Sequence, residues 1–373
     1  MSSNRHALRA FLAATVTAAT LLGTARADIS IGQTAGITGP VAGSAKEVTQ
    51  GAKIYFDAVN ASGGVHGQRI NLVTLDDKFE PSIAATNARK LIDQGVVALF
   101  LTRGTPHTQA IMPLLSEHKI PLVAPSSGAM VLHKPVHPWL FNVRASYQRE
   151  AERAIEHLSQ IAVTRIAIVQ VDDSFGDDGA AGALAGLAMA KKTAVAHEKY
   201  NREKPDMGPV VKRVLAKSPQ AVLFIGTGDA VVQGMKAVRA GGSTAQLVTL
   251  SNNASAGFIK DLGPVGHGVI VSQVFPPERS IAKPVMKDAQ EAARKAKLEL
   301  TPSMVEGYVS AKVLVEGLKR AGPKPTRQGL RDALEEMKHY DMGGLELGYS
   351  STDHTGLDYV DLAILDASGK FRR

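Results

Sequence analysis

The sequence predicts an α/β fold whose parallel sheets are covered by helices on both faces. Apolar, β-branched runs of strand length alternate with segments of helical periodicity. The alternation comes in two successive series, one before and one after about residue 146. Such alternation implies βαβ units and parallel strands, and right-handed crossovers then leave few topologies. At 373 residues the chain is long enough for two cores.

The chain opens with the basic residues Arg5, His6 and Arg9, an apolar run over residues 10–22, and Ala25-Arg26-Ala27. A run this short with a small-x-small motif after it predicts a secretory signal peptide over residues 1–27 rather than a membrane span. The mature chain is then expected to start at Asp28. There is no cysteine, so neither a disulfide nor a lipid-modified cysteine is available. A periplasmic protein that relies on its cores is expected. The formal net charge is +8, three positive charges of which lie in the leader. The remainder is spread without a basic run, and aromatic residues make up only 5%, which argues against nucleic acid as a partner. No later apolar stretch has spanning length, so no stable membrane insertion is expected.

A short strand over residues 28–32 leads into a glycine-rich turn, 38–44. Val48, Ala52, Tyr55 and Val59 then mark one helix face, which Ser62-Gly63-Gly64 ends. A strand over 70–75 and a helix over 81–94 follow. Residues 96–101 read as a buried strand, and Thr102-Arg103-Gly104-Thr105 as a polar turn. A helix begins there, with Thr105 expected as N-cap and Pro106 as first helical residue. Free N–H groups at a helix start favour an anion, and ligands in open α/β sheets sit at the carboxyl ends of strands. The next strand, 120–124, runs into a second turn rich in hydroxyls, Pro125-Ser126-Ser127-Gly128-Ala129. Two adjacent strand ends with such turns make a candidate site for a small carboxylate.

Residues 141–144 form a short strand, and Tyr147, Ala151, Ile155 and Leu158 a helix face. The second series has strands at 165–171, 195–200, 221–225, 247–250 and 269–275. Its helices are expected at 180–191, 210–217 and 231–240. The end is more helical, at 285–297, 304–320 and 327–338, before strands at 345–347 and 360–365.

Other motifs carry little. Gly226-Thr227-Gly228 follows a strand, but Val231 stands where a dinucleotide fingerprint needs its third glycine. The acidic run from Asp172 to Asp178 lacks calcium-loop spacing and reads as a solvated turn, with Phe175 facing a cleft. The eleven histidines form no H-E-x-x-H pair, so no zinc site is indicated. There is no G-x-S-x-G elbow and no assignable pair of catalytic carboxylates. Neither a cofactor, nor a metal, nor an enzymatic role is implied.

Gly39-Pro40-Val41-Ala42, Gly51-Ala52, Asn60, Gly63-Gly64-Val65-His66-Gly67 and Asp76-Asp77 occur in the order found in periplasmic leucine/isoleucine/valine-binding proteins. The chain resembles that family over nearly all of its mature length. In the C-terminal half the resemblance rests on Ala167-Ile168-Val169, Phe175-Gly176 and residues 239–242. It implies two Rossmann-like lobes joined by three crossover strands, with a ligand cleft between them. One lobe would comprise 28–145 and 275–355, the other 146–274 and 356–373. It also implies delivery of a small-molecule ligand, a carboxylate or amino acid, to the permease of an ATP-binding-cassette transporter. A ligand-sensing subunit of the same fold is the alternative role, and a secreted α/β enzyme the third.

Carried over position by position, the resemblance places the hydroxyl that takes the ligand carboxylate on Thr105. A backbone carbonyl contact falls on Ser126. Gly128 stands where the family has a threonine, with Ser127 as substitute. Ser44 and Thr227 replace aromatic walls, and Phe175 retains one. The acid that meets an amino acid's ammonium aligns with Ser251, beside Asn252 and Asn253. The resemblance therefore implies a kept carboxylate half and an altered amine half, unless Asp172, Asp173 or Asp229 supplies the acid.

Overall fold

The structure, a computed structural model, describes residues 27–372. The expected signal peptide lies outside the described residues but for Ala27.

The first lobe starts with β1 (Ile29–Ala35), α1 (Ala42–Ala61), β2 (Ile70–Asp76), α2 (Pro81–Asp93), β3 (Ala98–Phe100), α3 (Thr105–Glu117), β4 (Leu122–Val123) and β5 (Leu140–Phe141). Its sheet runs β2-β1-β3-β4-β5 and is parallel throughout. The chain then builds a second lobe from α4 (Tyr147–Gln160), β6 (Ile166–Val171), α5 (Ser174–Met189), β7 (Ala196–Tyr200), α6 (Met207–Leu215), β8 (Ala221–Ile225), α7 (Gly228–Ala240), β9 (Gln246–Thr249), α8 (Ala256–Leu262) and β10 (Ile270–Gln273). It returns to the first lobe for α9 (Pro284–Lys295), α10 (Pro302–Arg320), α11 (Arg327–Glu335) and the small hairpin β11 (Tyr340–Asp341) and β12 (Glu346–Leu347). β13 (Asp361–Leu365) and β14 (Phe371–Arg372) complete the second sheet, ordered β14-β13-β10-β9-β8-β6-β7.

The α/β class and the two lobes stand as expected. Each lobe has its own core. One gathers Ile31, Phe100 and Phe141 with Phe275, Val305 and Leu314. The other gathers Ile155, Val169 and Phe224 with Val271 and Leu365. The chain crosses between them after β5, after β10 and before β13. β10 carries it out of the second lobe and β13 brings it back, so these strands run opposite ways. β13 is therefore antiparallel to β10 in an otherwise parallel sheet, and β14 pairs antiparallel with β13 at its edge.

Local chemistry moved several helix starts. α5 begins at Ser174, six positions earlier than the periodicity indicated, because the Asp173 carboxylate accepts from the N–H groups of Phe175 and Gly176 at 2.9 and 3.1 Å. The acidic run is thus a cap and a first helical turn rather than a solvated turn. α8, absent from the sequence reading, is a short helix capped by Ser255. Its seven residues are too few for helical periodicity to stand out.

The two parts of the first lobe are joined where α1 crosses α10. A Cβ on Gly51 would lie 1.9 Å from Met304 O, and one on Gly307 would lie 1.8 Å from Val48 O. Backbone meets backbone there. Alanine at Gly307 gains about 1 kcal/mol of helix propensity, but it forces the helices apart. We expect Gly307→Ala to lower the unfolding free energy by about 2–3 kcal/mol. Gly43→Ala, on the exposed side of α1 with nothing within 4 Å of the added methyl, should lower it by none. Urea titration of both variants checks this.

Candidate functional site

The parallel strands of both sheets aim their carboxyl ends at the interlobe cleft. On the first-lobe side two turns are held together there. Leu101 and Ala124, each following its strand, have left-handed φ values of 55° and 54°, which are uncommon for non-glycine residues. Both chains bend at the same level. Ser126 N then donates to Thr102 O at 2.6 Å, and Arg103 pairs with Ser126 as an isolated parallel bridge.

Gly104, with φ 96°, is the N-cap of α3, so Thr105 is the first helical residue and Pro106 the second. This corrects the expected cap by one position. Only glycine takes that φ without strain, and it leaves the Thr105 hydroxyl free of capping. Thr105 Oγ1 instead shares a hydrogen bond of 2.9 Å with Ser127 Oγ, tying one turn to the other. Both residues are buried.

The residue that the sequence reading passed over is Arg103. Its guanidinium lies in the cleft and is only 6% exposed. Nη1 donates to Ser126 Oγ at 2.9 Å, and Nη2 to Ser44 Oγ at 2.8 Å and to the second lobe's Asn252 O at 3.1 Å. Every one of these acceptors is neutral. Among the described residues no carboxylate stands at ion-pairing distance. Burial holds the guanidinium below its ordinary pKa, against the more distant pull of Glu306. The signal was present in the sequence as a lone arginine in a turn of hydroxyl residues and glycine at a strand end.

From the second lobe, Phe175, Thr227 and Arg202 face Arg103, Thr105 and Ser126 across the cleft. The Phe175 ring lies 4.7 Å from that of Tyr147. Arg202 is paired with Asp173 and lies over the first lobe's Phe79 ring at 5.1 Å. Thr227 is half-buried immediately before α7.

The remaining expected residues are engaged elsewhere. Gly128 abuts the first crossover. Its O accepts from Tyr147 N at 2.7 Å, and a Cβ there would lie 2.6 Å from Ala145 O. Ser251 turns toward the crossovers. Its Oγ accepts from Arg144 Nη2 at 2.8 Å, and its N–H donates to Glu150 Oε2 at 2.9 Å. Arg144 and Glu150 form a buried ion pair, to which Ser272 adds its hydroxyl. Burial opposes the charge of Arg144, but Tyr147, Glu150 and Glu306 outweigh it and hold its pKa above the ordinary value. Of the substitute acids, Asp172 pairs with Lys199 at 3.0 Å, Asp173 pairs with Arg202, and Asp229 is exposed. Among the described residues no group of side chains is arranged to hold a metal ion, and no helix is long and apolar enough to cross a membrane.

Comparison with known proteins agrees with this architecture. A family model described as periplasmic binding protein matches residues 28–370. The Leu/Ile/Val-binding protein homolog 3 of Brucella melitensis is 23% identical over 338 residues, covering 88% of this chain and 89% of that protein. A substrate-binding periplasmic protein from Ralstonia solanacearum superposes with a TM-score of 0.86 at 32% identity, covering 92% and 99% of the two chains. A branched chain amino acid ABC transporter structure from Thermus thermophilus with bound valine has the same fold at a TM-score of 0.81 and 17% identity, over 93% and 95%.

Beneath the cleft His107 is fully buried, stacked on Phe79 at 4.2 Å. Burial pushes its pKa down to about 4, and does the same to His133. An unfolded histidine titrates near 6.5. Below that pH the unfolded chain binds protons that the folded chain refuses, so stability falls as pH drops from about 6.5 toward 4. Asp77, pushed up to about 6 by burial, works in the opposite sense. We expect His107→Gln to reduce the loss of unfolding free energy between these pH values by roughly 2–3 kcal/mol. Urea titrations at a series of pH values measure it; an unchanged profile would refute the assignment.

Proposed function

The chain belongs to the periplasmic binding protein family, and from that premise we propose that it is the solute-binding component of an ATP-binding-cassette transporter whose ligand is a small carboxylate with an uncharged remainder. The observation that carries this reading is Arg103. A guanidinium taken out of water and given only neutral acceptors is costly. A carboxylate placed between Arg103 and the Thr105 and Ser126 turns supplies the missing charge in a bidentate geometry that a guanidinium suits.

Some relatives take their names from leucine, isoleucine and valine. Those ligands are zwitterions, and a buried ammonium needs an acid. The position expected to hold it is Ser251, which is occupied with Arg144 and Glu150. An ammonium in this cleft would instead lie among arginines. The reading therefore favours acids without an amine over branched-chain amino acids.

A thermal-shift screen tests it, because a ligand that binds only the folded state raises the apparent melting temperature. Organic acids should stabilise the protein, and leucine, isoleucine and valine little or not at all; the reverse ranking would overturn the reading. For an acid found in this way, Arg103→Gln should weaken binding by about 3–5 kcal/mol. Thr105→Ala should cost only about 1–3 kcal/mol. Calorimetry separates the two. The proposal also places the mature protein in the periplasm, processed after Ala27. Mass spectrometry of protein from the cell envelope should find Asp28 first, and an intact Met1 would refute that.

A further inference from the structure

We infer that Arg202, held by Asp173, is a second anchor of the cleft, and that the far end of the ligand carries a neutral hydrogen-bond acceptor, a carbonyl or hydroxyl oxygen, rather than a second carboxylate. The inference rests on Arg103 being the carboxylate anchor. Arg103 comes from the first lobe and Arg202 from the second, and both line the same cleft. They differ in what surrounds them. Nε and Nη2 of Arg202 both go to Asp173 Oδ2. Nη1 remains, buried and with no hydrogen-bond partner among the described residues.

That N–H group is held in place rather than left to drift. The guanidinium carbon sits over the Phe79 ring, which is itself stacked on His107. Asp173 is fixed as the cap of α5 by the N–H groups of Phe175 and Gly176. A buried donor without an acceptor is unfavourable, and a ligand oxygen removes that deficit when the lobes are closed. The charge balance decides which oxygen. Arg103 brings one positive charge with no carboxylate at ion-pairing distance. Arg202 and Asp173 together bring none. One ligand carboxylate neutralises the walls, and a second would be buried against an already neutral pair. A carbonyl or hydroxyl oxygen accepts the Nη1 hydrogen without that penalty.

The test uses calorimetry on the mature protein with a length series of straight-chain monocarboxylates, each beside the oxo acid and the dicarboxylate of the same length. At the best length the oxo acid should bind the wild type about tenfold tighter than the plain acid, and the dicarboxylate should not exceed it. Arg202→Met should remove the preference; because it leaves Asp173 without its cation, the plain acid should weaken as well, and the preference is read as the ratio of the two affinities within the variant. Arg202→Lys keeps a cation beside Asp173 without the planar fork, and should also lose the preference. It covers the case in which the methionine variant does not fold. Asp173→Asn keeps a side chain able to cap α5 and leaves Arg202 unneutralised, so the dicarboxylate should become the tightest of the three. An oxo-acid preference that survives in a folded Arg202 variant would overturn the inference. So would dicarboxylates binding best to the wild type, or an Asp173→Asn protein with unchanged ranking. Unweakened binding of all three acids to Arg103→Gln would instead overturn the reading of the cleft as a carboxylate site, a result distinct from any Arg202 effect.

Discussion

A guanidinium buried between two lobes without a carboxylate partner sets the terms for everything around it. Arg103 is reached from both lobes, by Ser44 and Ser126 on one side and by the Asn252 carbonyl on the other. Neutral oxygens accept three of its five N–H hydrogens and leave its charge unbalanced. Closing the lobes takes that charge out of water, which is unfavourable alone and favourable with an anion present. With the carboxylate proposed for this cleft, the closed arrangement would be coupled to the ligand's charge, since a ligand shifts such an equilibrium only by its differential affinity for the two states.

The comparison with Arg144 sharpens the point. It too is fully buried and has Tyr147 against it, at 4.6 Å from the ring centroid. Yet Glu150 pairs with it, Ser251 accepts from it, and Glu306 stands 3.8 Å away. Those partners come from α4, from the segment after β9 and from α10, so the network ties together elements of both lobes where the chain crosses. One arginine has carboxylates at ion-pairing distance and the other only the more distant Glu306 and Glu47. That difference, rather than burial, is what singles out Arg103 for the proposed carboxylate.

Most of the architecture was legible in the sequence because strands buried on both faces leave apolar runs that stand out between amphipathic helices. Helix starts were less legible, since they depend on caps: Asp173 moved one by six positions and Gly104 another by one. The direction of β13 was hidden because it follows from the route of the third crossing and not from any local pattern. The candidate site was half visible. Thr105, Ser126, Phe175 and Thr227 meet at the cleft, as their turn chemistry and the family resemblance indicated. Arg103 was missed because a charged residue in a polar turn reads alike whether solvated or buried. The partner of Ser251 lies 107 positions away in the chain, beyond the reach of spacing arguments.

The contact of Gly51 with Met304 and of Gly307 with Val48 also fixes an order of events. Much of the first lobe's core is encoded after most of the second lobe, so the segment that emerges first from the ribosome cannot complete its domain until residues past 307 exist. Domains that are continuous in sequence fold as they are made; this one waits. For most of its synthesis the chain's leading portion lacks α10, the helix whose backbone meets that of α1.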